Sequence, residues 1–395
     1  MIYRNIFQEE NLPGLGLGTM RLPLVPGGAP SDIDQQHLDK MVDYAMENGI
    51  NYFDTAWPYH ESCSETAIGK SLSRYDRNSY YLADKFPGHQ ISSSYDPAGI
   101  FEKQLEKCGV EYFDFYLLHN VNNSSVKTYL DPQWKIPEYF IEEKRRGRIK
   151  HLGFSCHGDL ECINRFLDAF GGEMEFCQIQ LNYLDWTLQS AKEKYELLTE
   201  RGLGVWVMEP VRGGKLAKLP DDAMEKLNAL RPGAEAPEWA FRFLQGLPNV
   251  KMILSGMSNL DQVKANVRTF EERKPLNPEE EKALMAISEE LKNAVPCTGC
   301  RYCCDGCPMG IEIPKLIALY NDCRIHLSMN ISMQLDAVPE DRRANACIGC
   351  GQCSAICPQG IDVPNLMKEM DKKFAELPSW AEICRQREEA AKKNN

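Results

Sequence analysis

Up to Phe270 the chain alternates short apolar runs with longer amphipathic stretches. The runs are "GLGLGTM", "INYFD", "YYLADK", "FDFYLLH", "IKHLGFS", "FCQIQLN", "GVWVMEP" and "VKMILSG". Between them lie segments with helical spacing. In "DIDQQHLDKMVDYAMENG", Leu38, Met41, Val42, Ala45 and Met46 fall on one face and Gly49 is a C-terminal stop. Strand then helix, repeated eight times, predicts an α/β fold of the (β/α)8 TIM-barrel type, with a doubly wound sheet as the alternative. "GLGLGTM" is read as the first barrel strand, because Gly14, Gly16 and Gly18 lack the GxGxxG spacing of a dinucleotide loop.

After the eighth unit, "NPEEEKALMAISEELKNAV" predicts a further helix, capped by Asn277 with Pro278 in its first turn. A domain boundary is expected near Leu291, giving a barrel over 1–290 and a small helical domain over 291–395. Within the second part, "CTGCRYCCDGCPMGIEIP" recurs as "CIGCGQCSAICPQGIDVP". Gly310 and Gly360, each followed by acidic, aliphatic and proline positions, predict the same turn into helices starting at Pro314 and Pro364. The last segment, "WAEICRQREEAAKKNN", reads as a helix running into a charged tail.

Composition narrows the function classes. Apolar and charged fractions of 43% and 26% are ordinary for a water-soluble protein, and no apolar run reaches the roughly 18 residues of a membrane span. The formal charge of −12 argues against nucleic-acid binding, and no basic run marks a nucleic-acid or membrane face. From Leu291 onward 13 basic and 13 acidic side chains balance, so the acidic excess lies in the barrel part. "MIYRNIFQEENLPG" lacks the apolar region of a secretory signal. Sixteen cysteines, eight in two metal-type motifs, then suggest reduced thiols in a cytoplasmic, anaerobic setting.

Barrel chemistry sits at the C-terminal ends of the strands, so the residue closing each run is informative. Asp54 closes "NYFD", Lys85 closes "YYLADK" and His119 closes "FYLLH". Tyr59 lies five residues beyond Asp54, in the loop that would cover them. Together they make a proton-donating device. A phenol of ordinary pKa, about 10, is a poor acid at neutral pH, and an adjacent ammonium lowers that value by stabilising the phenolate. Lys85 is expected to do this with Asp54 holding it charged, while His119 orients a carbonyl oxygen that Tyr59 protonates.

"YFDTAWPY", "LADKF" and "DFYLLH" resemble the aldo-keto reductases, in which Asp, Tyr, Lys and His form a catalytic tetrad. The resemblance covers Asn11 to Phe270 and implies a barrel that binds NAD(P)H and reduces an aldehyde or ketone, or oxidises the alcohol. It also implies nucleotide contacts. Ser155 in "GFSCH" and Gln178 in "FCQIQLN" match the residues that hold the nicotinamide amide, with Cys156 replacing an asparagine. Met208 stands where the family usually stacks a tyrosine. Arg212, Gly213 and Gly214 in "PVRGGKL" suit a pyrophosphate. Ser258, Gln262 and Asn266 match the adenine side, where Gly256 and Gln262 replace the basic residues for a 2′-phosphate, so NADH is as compatible as NADPH.

Each cysteine repeat reads C-x2-C-x2-C-x3-C-P, a spacing that suits an iron-sulfur cubane better than zinc. The pair resembles the dicluster bacterial ferredoxins. That resemblance implies two [4Fe-4S] clusters, one on Cys297, Cys300, Cys303 and Cys357, the other on Cys347, Cys350, Cys353 and Cys307. Cys304 is a surplus thiol, and Cys63, Cys108, Cys162, Cys177, Cys323 and Cys384 read as incidental.

The sequence therefore points to an oxidoreductase acting on a small carbonyl or alcohol, with clusters that exchange electrons with a redox protein partner. Hydride moves two electrons and each cluster one, which raises the question of a flavin, although no motif speaks for one. Two other readings stand beside this one: clusters that only fold the tail of a simple carbonyl reductase, or an electron-transfer or redox-sensing protein with a non-catalytic nucleotide-binding barrel. Trp57, Trp134 and Trp186 are candidate substrate-facing aromatics.

Overall fold

A computed structural model describes residues 1–7, 9–29, 31–89, 94–123, 125–292, 295, 297, 301–325, 329–357, 360–379 and 382. Eight strands close into a parallel barrel: β3 (Leu15–Gly18), β4 (Tyr52–Asp54), β5 (Tyr81–Phe86), β6 (Phe113–Val121), β7 (Ile149–Cys156), β8 (Phe176–Gln180), β9 (Gly204–Met208) and β10 (Val250–Ser255). They coincide with the eight apolar runs. Helices cover the outside, so the strands are buried on both faces, which is why their sequences read as continuous apolar stretches. Helix α1 (Gln35–Glu47) buries Leu38, Met41, Val42 and Ala45, with Asp34 accepting from the His37 amide as its cap. Met46 of the expected face is half-buried.

The barrel interior is a packed core. Tyr52, Ala83, Phe115, Phe176, Trp206, Met252 and Leu254 fill it in layers. Gly16 is required by this packing: a Cβ there would lie 2.8 Å from Leu254 Cδ2 and 2.9 Å from Tyr52 Cδ1. An antiparallel hairpin, β1 (Tyr3–Ile6) and β2 (Glu9–Pro13), precedes the barrel and is absent from the sequence pattern. It contributes Leu12 to the interior cluster, and Phe7 stacks on His151 and Trp206 with ring centroids 5.0 and 5.9 Å away.

By internal contacts the chain divides into two units, Met1–Ala217 with Leu230–Met285, and Lys218–Ala229 with Ala286–Asn395. The second unit thus takes in a stretch that the strand–helix alternation assigns to the barrel. Its core is formed by helices Ile313–Ile325 and Val363–Phe374, which bury Leu316, Ile317 and Tyr320 against Leu366, Met367 and Met370. Both helices begin one residue before the expected prolines. The final charged segment lies outside the described residues, apart from Glu382. Among the described residues no helix is long and apolar enough to cross a membrane.

Strand alternation sends Lys85 into the barrel and its neighbour Asp84 outward, towards α2 (Ser64–Leu72) and α3 (Pro97–Cys108). Asp84 is fully buried and its Oδ1 accepts from the Lys85 amide at 2.8 Å. Burial first, then the charge of Glu65, holds its carboxyl well above the usual range. A folded pKa above the unfolded one gives stability that is whole below the unfolded carboxyl value, about 4, and lost as pH rises through the folded value. Asp84→Asn keeps the shape and removes the titration. Its melting temperature relative to the parent should shift in the variant's favour from pH 4 to pH 8, followed by circular dichroism; a constant difference would refute the assignment.

Candidate active site and cluster cavity

The four strand-end residues meet at the C-terminal mouth of the barrel. Gly18 pairs with Asp54 and Asp54 with Ala83, so Asp54 and Lys85 share the inward face of adjacent strands. Lys85 Nζ donates to Asp54 Oδ1 at 2.6 Å and to the Thr55 carbonyl at 2.7 Å, with both side chains buried. The ammonium lies 5.1 Å from the Tyr59 ring centroid. His119 meets Tyr59 edge-on, with centroids 5.9 Å apart and planes at 82°.

Electrostatics refine the expected roles. Burial works against the Lys85 charge, but Asp54 and Tyr59 outweigh it and raise the lysine's pKa. For Tyr59 the expected lowering is not the net result. Burial is the largest influence and raises the phenol, and Asp54 adds to it, while the charge and hydrogen bond of Lys85 pull the other way. The resting phenol is therefore fully protonated. His119 is pushed well below the ordinary imidazole value by burial, then by Lys85 and His89, so its ring is neutral. Its Nδ1 is buried without a hydrogen-bond partner among the described residues. His89, which the sequence reading passed over, packs on it with ring centroids 4.6 Å apart. It sits in the loop after β5, and the only signal was that position.

The expected nucleotide contacts divide. Gln178 is buried on β8 with Oε1 unpartnered among the described residues, a free acceptor in the barrel mouth. Ser155 Oγ accepts from the Asn120 amide at 2.7 Å, which leaves its hydrogen to donate. Met208 is half-buried at the end of β9. Gly213 and Gly214 both take positive φ, 65° and 97°. Arg212, however, is turned to a protein partner: its Nε donates to Asp185 Oδ1 at 3.1 Å, and Asp185 also accepts from Gln180 and Asn182. Gln262 folds back to accept from the Ser258 amide at 2.7 Å, and Asn266 donates to Ser255 Oγ at 3.0 Å. Cys156 is buried; its hydrogen bond to Cys162, and then burial, lift its thiol well above the ordinary value. Trp186 packs against Tyr195 and Phe243, Trp134 against Tyr95, and Trp57 lies beneath Lys107.

In the second unit the two repeats fold alike. Amides of Cys307 and Gly310 bond to the carbonyls of Cys304 and Cys307, as those of Cys357 and Gly360 do to Ser354 and Cys357. Arg301 takes the left-handed conformation that Gly351 takes in the second copy. One cavity is lined by Cys307, Cys347, Cys350 and Cys353 with apolar walls from Ile311, Ile313, Val363 and Met367. Four thiols around one apolar cavity fit a cubane cluster. Cys297, Cys303 and Cys357 pack on the same core, and Cys300 lies outside the described residues. Among the described residues no three His, Cys, Asp or Glu side chains close on a single point as one ion demands. A cubane differs, because each thiolate binds its own iron.

The barrel and its polar cluster define a (β/α)8-barrel oxidoreductase. Residues 14–289 match the model of the Aldo/keto reductase family and residues 296–361 that of a 4Fe-4S dicluster domain. The chain belongs to the aldo/keto reductase family and carries a 4Fe-4S dicluster domain C-terminal to the barrel. A probable aldo-keto reductase of Glycine max is 28% identical over 51% of this chain and 56% of its own length. The uncharacterized oxidoreductase YqkF of Bacillus subtilis is 24% identical over 71% of this chain and 94% of its own. Among solved structures, the holo form of aldo-keto reductase AKR11C1 from Bacillus halodurans is 26% identical, covering 72% of this chain and 95% of its own, with TM-score 0.58. An aldo/keto reductase from Klebsiella pneumoniae, in complex with NADP and acetate, shares the fold at 19% identity over 70% of this chain and 92% of its own, with TM-score 0.55.

Removing one half of a buried ion pair leaves the other charge uncompensated. Asp54→Asn should destabilise the protein by about 3 kcal/mol in urea titration. A cost near zero would mean that Thr55 alone satisfies Lys85.

Proposed function

We propose that the barrel reduces the carbonyl of an aldehyde or ketone with NAD(P)H, or runs the reverse oxidation, and that two [4Fe-4S] clusters in the C-terminal domain carry electrons to or from a redox partner. The observation that carries the first part is the buried contact of Lys85 with Asp54, Thr55 and Tyr59. A bound nicotinamide supplies hydride to the carbonyl carbon, and reduced clusters supply single electrons. Tyr59 gives its proton to the carbonyl oxygen, and the phenolate left behind is stabilised by the ammonium of Lys85. Asp54 keeps that ammonium charged. Neutral His119 donates one N–H to the oxygen and fixes its direction.

Gln178 Oε1 can accept from the carboxamide of a nicotinamide, and Ser155 can donate to it. The Klebsiella pneumoniae aldo/keto reductase of the same fold is in complex with NADP, which is compatible with a nucleotide on this barrel. For the clusters, Cys307, Cys347, Cys350 and Cys353 form one ligand set and Cys297, Cys300, Cys303 and Cys357 the other. Cys350 is exposed and Ile348 beside it is 64% exposed, so one edge of the first set opens to a partner. The packing of six of these cysteines on the domain's apolar core favours a second reading, in which the clusters serve to fold the domain.

Tyr59→Phe should lower carbonyl reduction at least about a hundredfold while NAD(P)H binding, followed by fluorescence, persists. Unchanged turnover would remove Tyr59 from the mechanism. Anaerobically purified protein should contain about eight iron and eight sulfide per chain and no organic cofactor beyond nicotinamide. Cys347→Ala should lose one cluster's paramagnetic signal; retention of both would overturn the ligand set. Reduction of the clusters by NADH supports electron transfer, and clusters that stay oxidised during carbonyl turnover support the folding role.

A further inference from the structure

Strand β3 ends at Gly18 and continues into a single tight turn, Thr19–Arg21. The turn is fastened on both sides. Thr19 Oγ1 and Ser64 Oγ are hydrogen-bonded at 2.7 Å, and the Leu22 amide donates to His60 Nε2 at 3.1 Å. From this anchored turn the stem of Arg21 lies along Gly256, just past β10. A Cβ on Gly256 would be 3.3 Å from Arg21 Cδ and 3.4 Å from its Cβ and Cγ. The guanidinium arrives at Gly213, in the loop after β9, where a Cβ would sit 2.9 Å from Nη2. Arg21 thus bridges the loops that follow the seventh and eighth barrel strands. That is the region where barrels of this architecture collect phosphate groups.

Arg21 is exposed, and among the described residues it makes no hydrogen bond or ion pair, although its charge reaches the half-buried carboxyl of Glu209. Arg212 contrasts with it, because its Nε is engaged by buried Asp185. Position 256, which offers no side chain, is filled by the arginine stem arriving from the end of the adjacent strand β3. A guanidinium has a planar fork that matches two phosphate oxygens at once.

We propose that Arg21, rather than Arg212, is the cation that holds the diphosphate of the bound dinucleotide, bridging the loops after β9 and β10. The assignment rests on the nucleotide reading given above. Because the diphosphate is common to both dinucleotides, losing Arg21 should weaken NADH and NADPH alike.

The test is fluorescence titration of the full-length, cluster-loaded protein with NADH and with NADPH, for the parent, Arg21→Gln and Arg21→Lys. Arg21→Gln should raise both dissociation constants by about tenfold to a hundredfold and flatten their dependence on salt, with Arg21→Lys recovering part of the loss. Unchanged affinities in Arg21→Gln, with the parent binding normally, would overturn the diphosphate contact and leave the nucleotide reading intact. Loss confined to NADPH would overturn it in favour of a 2′-phosphate contact. A parent that binds neither dinucleotide would overturn the nucleotide reading and this assignment together.

Discussion

Lys85 carries its ammonium into the barrel with no exposed surface, where an unpaired charge costs several kcal/mol. Asp54 and the Thr55 carbonyl offset that cost, and both come from the end of the neighbouring strand. The registration of β4 on β5 therefore fixes the site as much as the fold. Behind the lysine, Gln104 on α3 donates to the Lys85 carbonyl and to Glu65 on α2, which clamps β5 from outside. With the ammonium held on two sides, its remaining influence falls on Tyr59. Burial keeps that phenol protonated at rest, so in the proposed reaction Lys85 would matter most once the proton has left. Stabilisation that appears mainly in the transition state is the kind that accelerates a reaction.

Much of this was legible in the sequence, for a physical reason. Strands buried on both faces must be continuously apolar, so the polar residue ending each run stands out. Asp54, Lys85 and His119 were visible on that account, whatever their roles. The hairpin Tyr3–Pro13 was not, because "YRNIFQEENLP" is mostly polar and its contribution rests on Phe7 and Leu12 meeting a barrel end that exists only after closure. The engagement of Arg212 Nε was hidden for a similar reason. Its partner Asp185 is distant in sequence and sits in the short helix Asp185–Leu188, where an acidic residue reads as ordinary solvated surface. Arg21, by contrast, gave no local sign, since its neighbours Gly213 and Gly256 are remote in sequence and reach it only when the last strands close the barrel against β3.

The cysteine repeat was legible because its turn chemistry is local. The same carbonyl–amide closures recur in both copies, and Gly310 and Gly360 both turn left-handed before their helices. What spacing leaves out is the shell. Val363 and Met367 come from the helix following the second motif, Ile311 and Ile313 from the first, so each copy helps to wall the cavity that holds thiols of the other. Neither repeat completes that cavity alone, which is the logic of a pair.

The proton inventory of the barrel mouth bears on how hydride and single-electron chemistry are divided in the proposed enzyme. Carbonyl reduction by hydride needs one proton, and Tyr59 carries one. Reduction by two single electrons needs two protons at the same centre. His119 does not provide the second, because burial and the adjacent Lys85 hold it neutral, and its N–H serves to orient. Lys85 does not either, since Asp54 and Tyr59 hold its proton more firmly than an ordinary lysine holds one. In the proposed reaction the mouth would thus be supplied for hydride, and electrons of the proposed clusters would be better matched to a partner reached through the exposed Cys350 edge than to the carbonyl itself.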